Sequence, residues 1–162
     1  MAPKRIIVPG NLPGGCTPIM LTLYASPRTS DYDHLGCLKK SNGLARYHNG
    51  LLRSQVQALR SKYPYTKIVF ADYYQPILAF LRRPANFGFD NSTTLAACCG
   101  AGGKYNYNAV ATCGFPGTTA CADPSRAVSW DGVHLTESAY REIAGAWLHG
   151  PFAEPLIYSL VH

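Results

Sequence analysis

No stretch of this sequence approaches the roughly twenty consecutive apolar residues that a membrane-spanning helix needs, which excludes a helical span. No C-x-x-C pair occurs, and no histidine stands at finger-like spacing from the Cys98-Cys99 doublet, so a zinc site is not expected. Also missing is the G-x-S-x-G elbow that presents a serine nucleophile in many hydrolases. Gly100-Ala101-Gly102-Gly103-Lys104 is rich in glycine. Yet Cys98 stands where a phosphate loop needs its first glycine, and Tyr105 where it needs a hydroxyl, which argues against nucleotide binding. No cofactor is expected.

Acidic residues are scarce. Nine Asp and Glu face fifteen Lys and Arg, for a formal net charge of +6. The basic residues are scattered, in pairs such as Lys39-Lys40 and Arg82-Arg83, and are not massed on one helix. The charge therefore reads as solvated surface, with no nucleic-acid partner. With 47% hydrophobic and 15% charged residues, the 162-residue chain fits one globular domain over residues 1–162.

Cysteine is present in an even set, at positions 16, 37, 98, 99, 113 and 121, as in a disulfide framework from an oxidising compartment. Asn91-Ser92-Thr93 is a glycosylation sequon at Asn91 and points to the same route. The N-terminus points elsewhere, since Met1-Ala2-Pro3-Lys4-Arg5 runs straight into Ile6-Ile7-Val8 without a signal-peptide pattern. Six cysteines allow fifteen connectivities. The favoured set joins Cys16 to Cys37 and shares Cys98 and Cys99 between Cys113 and Cys121.

Along the chain, Arg5 to Val8 reads as a buried strand ended by Pro9-Gly10-Asn11. An irregular stretch follows to Lys40. A long helix is then expected, capped by Ser41 or Asn42, with Leu44, Tyr47, Leu51, Leu52, Val56 and Leu59 as its apolar face and Tyr63-Pro64 as its stop. Lys67 to Ala71 suits a strand covered on both faces, which makes a parallel βαβ unit. Pro76 to Leu81 reads as a short helix begun by its proline. The span from Arg82 to Ser129 has no sustained period, and its length is plausible only with the four later cysteines as staples. Finally Thr136 caps a helix whose apolar face is Ala139, Tyr140, Ile143, Ala144, Trp147 and Leu148.

The candidate chemistry lies in Ser129-Trp130-Asp131-Gly132-Val133-His134-Leu135-Thr136. An acid just ahead of a histidine can hold the imidazole in one tautomer while it takes a proton from a serine. Asp31-Tyr32-Asp33-His34 satisfies the same spacing, but in a proline-rich loop without a capped helix behind it, and reads as exposed loop. His48 reads as surface. Asp72 ends a buried strand, where capping is the commoner duty and function the rarer one.

Val8-Pro9-Gly10-Asn11-Leu12-Pro13-Gly14-Gly15-Cys16-Thr17-Pro18, Phe70-Ala71-Asp72-Tyr73-Tyr74, Ala97-Cys98-Cys99-Gly100 and Trp130 to Thr136 together resemble the plant GDSL esterase/lipase family of SGNH hydrolases. The resemblance implies an α/β fold, here a partial flavodoxin-like three-layer sandwich with a parallel sheet that lacks its N-terminal strands. It implies a secreted carboxylic ester hydrolase acting on small-molecule or lipid esters, with His134 as general base and Asp131 as its orienting acid. The serine and the oxyanion-hole glycine and asparagine of that family have no counterpart here. The chain is therefore expected to be the C-terminal part of such a domain, inactive alone, with an exposed sheet edge prone to self-association. The alternatives are a non-catalytic, disulfide-stapled binding module of the same fold, and a small secreted disulfide protein without enzymatic ancestry.

Overall fold

The computed structural model describes residues 4–158. The first expected strand forms as β1, Arg5–Pro9, but is exposed from Arg5 to Ile7 and not buried as expected, because it has a neighbouring strand on one side only among the described residues; the second forms as β2, Lys67–Ala71. They pair in parallel, with Ile6 opposite Ile68 and Val8 opposite Phe70. A parallel pair needs a long crossover, here α1 (Pro18–Leu23) followed by α2 (Lys39–Lys62). β2 is buried from Ile68 to Ala71 because it lies between β1 and a third strand, β5, Ala153–Glu154. β5 runs antiparallel, with Glu154 opposite Phe70. The sheet expected to be parallel is therefore mixed. A two-residue strand is too short to carry the alternation that a sequence can reveal.

α2 differs from expectation at its start and on its face. It begins at Lys39, ahead of both nominated caps, and Leu38 before it offers no side-chain acceptor. Asn42 is buried inside the first turn instead, where its Oδ1 accepts from the Gly15 N–H at 2.9 Å and its amide donates to Cys16 Sγ at 3.4 Å. Replacing Asn42 by Ala strands the Gly15 N–H in the interior. The expected cost is about 1–3 kcal/mol, read as a lowered urea midpoint.

Of the nominated apolar face of α2, Val56 and Leu52 pack on Val8, Ile68 and Phe70. Leu44, Tyr47, Leu51 and Leu59 are exposed. The remaining contact with the sheet comes from arginines. The Arg53 guanidinium lies 4.4 Å from the centre of the Phe70 ring, and Arg60 Nε donates to the Ile68 carbonyl at 2.7 Å. Arginine covers apolar surface with its stem and plane while its charge stays wet, so a count of apolar positions misses it.

α3 spans Tyr74–Arg82 and starts two residues before Pro76. Asp72 Oδ1 accepts from the backbone N–H groups of Tyr74 and Gln75, at 2.8 and 3.0 Å, and so satisfies the opening turn. The residues from Arg82 to Ser129 are mostly irregular, with one short antiparallel ladder of β3 (Cys99–Gly100) and β4 (Thr119–Ala120). Disulfides Cys98–Cys121 and Cys99–Cys113 bind this lobe, and Cys16–Cys37 closes the loop ahead of α2. The last helix, α4, is Glu137–Leu148, and Thr136 Oγ1 accepts from the Ala139 N–H at 3.2 Å. Ala139 and Ile143 join Ile77, Phe80, Phe89, Val128 and Leu135 in the main core, whereas Tyr140, Ala144 and Leu148 stay exposed. No described helix is long and apolar enough to cross a membrane.

Candidate functional site

Asp131 and His134 lie on the turn between the buried segment Ala127 to Ser129 and the start of α4. The turn is closed at its base. Trp130 N–H donates to the His134 carbonyl at 2.9 Å, and Thr136 N–H to that of Val128 at 3.0 Å. Inside it, Asp131 Oδ1 accepts from the N–H groups of Val133 and His134, at 2.9 and 2.7 Å. Its other oxygen, Oδ2, meets His134 Nδ1 at 2.7 Å. One carboxylate thus fixes both the backbone of the turn and the ring it carries.

Partial burial works to raise the Asp131 pKa. Hydrogen bonds from the His134 ring, from the His134 and Val133 N–H groups, and the charge of His134 outweigh it, and the carboxyl is held below its ordinary value. Asp131 is therefore a permanent acceptor near neutrality, and Nδ1 carries the proton that faces it. The His134 side chain is 68% exposed against 23% for Asp131, so Nε2, on the far side of the ring, is open to a reaction partner. An imidazole held in this way can accept a proton at Nε2.

Three supporting residues escaped the sequence reading. Ser129 is buried, and its Oγ accepts from the Gly132 N–H at 3.1 Å and donates to the His134 carbonyl at 3.3 Å. Gly132 has φ +94°, and a Cβ there would come 2.4 Å from the Tyr107 ring, so this position excludes any side chain. The Asp-Gly pair was a readable turn signal. Tyr140 Oη accepts from the Leu135 N–H at 3.3 Å, tying the turn to α4. Ser129 and Tyr140 carry no local signal of these contacts.

The GDSL-like Lipase/Acylhydrolase family matches residues 2–147. The chain belongs to that family. GDSL esterase/lipase At1g28600 of Arabidopsis thaliana is 45% identical over 96% of this chain and 39% of its own length. Sinapine esterase of Brassica napus is 40% identical over 94% of the chain and 39% of its own length. GDSL esterase/lipase At1g28610 of Arabidopsis thaliana is 41% identical over 99% and 42% respectively. The chain thus spans about two fifths of the length of these relatives.

The other nominated residues of this GDSL-family chain do not join the pair. Asp31 bonds Ser26 and Arg28, and His34 is exposed nearby without facing it. Asp72 caps α3 and lies 3.4 Å from Arg53. His48 is exposed on α2, and Asn91 is exposed in a turn. No group of three or more His, Cys, Asp or Glu suited to a metal occurs among the described residues. A cavity of about 530 Å³ opens beside the disulfide lobe, between Asp90, Asn106, Asp123 and Arg126, but contains neither Asp131 nor His134. The apolar crevice next to Val133 and Leu135 measures only about 20 Å³, too little for an acyl chain.

Proposed function

We propose that this chain supplies the acid–base half of a GDSL-type carboxylic ester hydrolase and is inactive by itself. The observation that carries the reading is the 2.7 Å contact between Asp131 Oδ2 and His134 Nδ1, beside an exposed Nε2. In the assembled site, Nε2 takes the proton of a serine hydroxyl as its oxygen attacks the ester carbonyl. It then returns that proton to the departing alcohol. Asp131 stays ionised throughout and stabilises the imidazolium that forms between the two transfers.

The serine and the donors that would meet the oxyanion are not recognisable in this chain, and the crevice next to Val133 and Leu135 is too small for an acyl chain. Three disulfides and the exposed sequon at Asn91 support an oxidising, secretory location for the protein. The test is intact mass after exposure to a fluorophosphonate, which reacts rapidly only with an activated serine. The expected result is a folded chain without an adduct. A single labelled serine, lost in His134→Ala, would overturn the inactivity and name the missing nucleophile.

A further inference from the structure

We propose that Tyr140 and Tyr73 are positioning residues for His134, joined as one strut that ties the Asp131–His134 turn to the end of β2. Their consequence for catalysis rests on the functional reading above. The contacts do not. The peptide unit that follows His134 is held at both ends. Its carbonyl accepts from the Trp130 N–H at 2.9 Å and from Ser129 Oγ at 3.3 Å. Its N–H, that of Leu135, donates to Tyr140 Oη at 3.3 Å. Because a peptide unit is planar, anchoring both ends leaves little freedom in the backbone angle beside the His134 Cα, and hence in where the ring points.

Tyr140 is itself held from outside the turn. The Tyr73 hydroxyl donates to that of Tyr140. Burial, the neighbouring phenol and this bond push the Tyr73 pKa up to about 12, so the donor keeps its proton near neutrality. Tyr73 lies two residues past the end of β2, and its ring packs edge-on against Trp147 at 5.1 Å. Trp147 Nε1 in turn donates to the Asp72 carbonyl at 2.8 Å. Tyr140 and Trp147 stand about two turns apart on α4 and so share a face. Asp72-Tyr73 therefore grips α4 at two points roughly 10 Å apart, one of them bonded to the peptide beside His134. Phenylalanine at position 73 would fill the same space with no hydroxyl to satisfy. The phenol there serves the contact with Tyr140, which gives the Asp72-Tyr73 step a use beyond capping α3.

The test compares Tyr140→Phe, Tyr73→Phe and the double variant in a protein where this chain replaces the matching portion of At1g28600, beside His134→Ala and Val56→Ala. Val56 packs on Ile68 and Phe70, so its variant loses stability without touching the strut. Tyr140→Phe is expected to lower kcat roughly tenfold or more with little change in KM, because a misplaced base slows the chemical step and not binding. Tyr73→Phe should lower kcat less, and the double variant no further than Tyr140→Phe alone, as for residues that act through one path. In the full chain by itself, the nitrogen-15 shifts of the His134 ring report which nitrogen carries the proton. They should show Nδ1–H in the native chain and a mixture of tautomers in Tyr140→Phe. A kcat loss no larger than that of Val56→Ala, a loss confined to KM, single-variant losses that multiply in the double variant, or ring shifts indifferent to Tyr140→Phe would each overturn the proposal. If the replacement protein is inactive, or keeps its activity in His134→Ala, the hydrolase reading fails, and the ring shifts of the chain by itself still decide the strut.

Discussion

Asp131→Asn is expected to lower kcat by a factor on the order of 10⁴ in a protein where this chain replaces the matching portion of At1g28600, with little change in KM. The turn itself dictates so large an effect. Asp131 Oδ1 accepts from two backbone N–H groups, so an asparagine must keep its carbonyl oxygen there and point its NH₂ at His134 Nδ1. A donor facing Nδ1 forces that nitrogen to accept, which moves the ring proton to Nε2. A protonated Nε2 cannot take a proton from serine. The amide cannot flip to escape without stranding both N–H groups. A fall of less than about tenfold would mean that His134 is not the base, because Asp131 Oδ2 is the acceptor that Nδ1 faces in the fold.

The same substitution has a signature in the chain alone. The Asp131 carboxyl is held below its ordinary value in the fold, so the pair adds stability above the ordinary carboxylate range and loses it as pH falls through the lowered value. Asp31, Asp90 and Asp123 are lowered too, and each contributes to the acid limb. The difference between native and Asp131→Asn urea midpoints, followed with pH, isolates Asp131. It is expected to shrink only on the acid side.

What could be read in advance divides along a physical line. Asp131, His134 and the Thr136 cap were legible because their chemistry is local: an acid that caps its own turn, a ring three residues on, and a hydroxyl that starts a helix. β2 was legible because Lys67–Ala71 is apolar on both faces and is covered on both. The sheet-facing side of α2 was not. Leu44, Tyr47 and Leu51 satisfy helical spacing as well as Leu52 and Val56 do, and only the position of the sheet decides which row is used. That Arg53 and Arg60 would complete the sheet contact, and that Asn42 would hold the Gly15 loop, depends on tertiary partners, Phe70, Ile68 and Gly15, that no local pattern names. β5 is nonlocal for the same reason, whereas Ser129 and Tyr140 hold the turn through bonds within five residues of themselves that belong to no recognised turn or cap pattern.

The second large effect is expected from the cysteine doublet. Cys98 N–H donates to the Ser129 carbonyl at 2.9 Å and Cys99 N–H to that of Trp130 at 2.6 Å, so the doublet borders the segment that delivers Asp131. Each cysteine of the doublet is then anchored by its own disulfide, to Cys121 and Cys113, across 23 and 14 residues of otherwise irregular chain. Cys99→Ala with Cys113→Ala is expected to cost about 2–4 kcal/mol, from lost loop closure, read as a lower urea midpoint. Removing Cys16–Cys37, across 21 residues, should cost a similar amount of stability. The two variants part company at the site. In the At1g28600 replacement protein, loss of Cys99–Cys113 should reduce kcat more than loss of Cys16–Cys37 at matched stability, because only the former frees the strand bonded to Trp130. Equal losses would mean that the doublet supports the site no more than the Cys16–Cys37 loop does, whose Ile19 N–H donates to the Gly132 carbonyl at 3.2 Å.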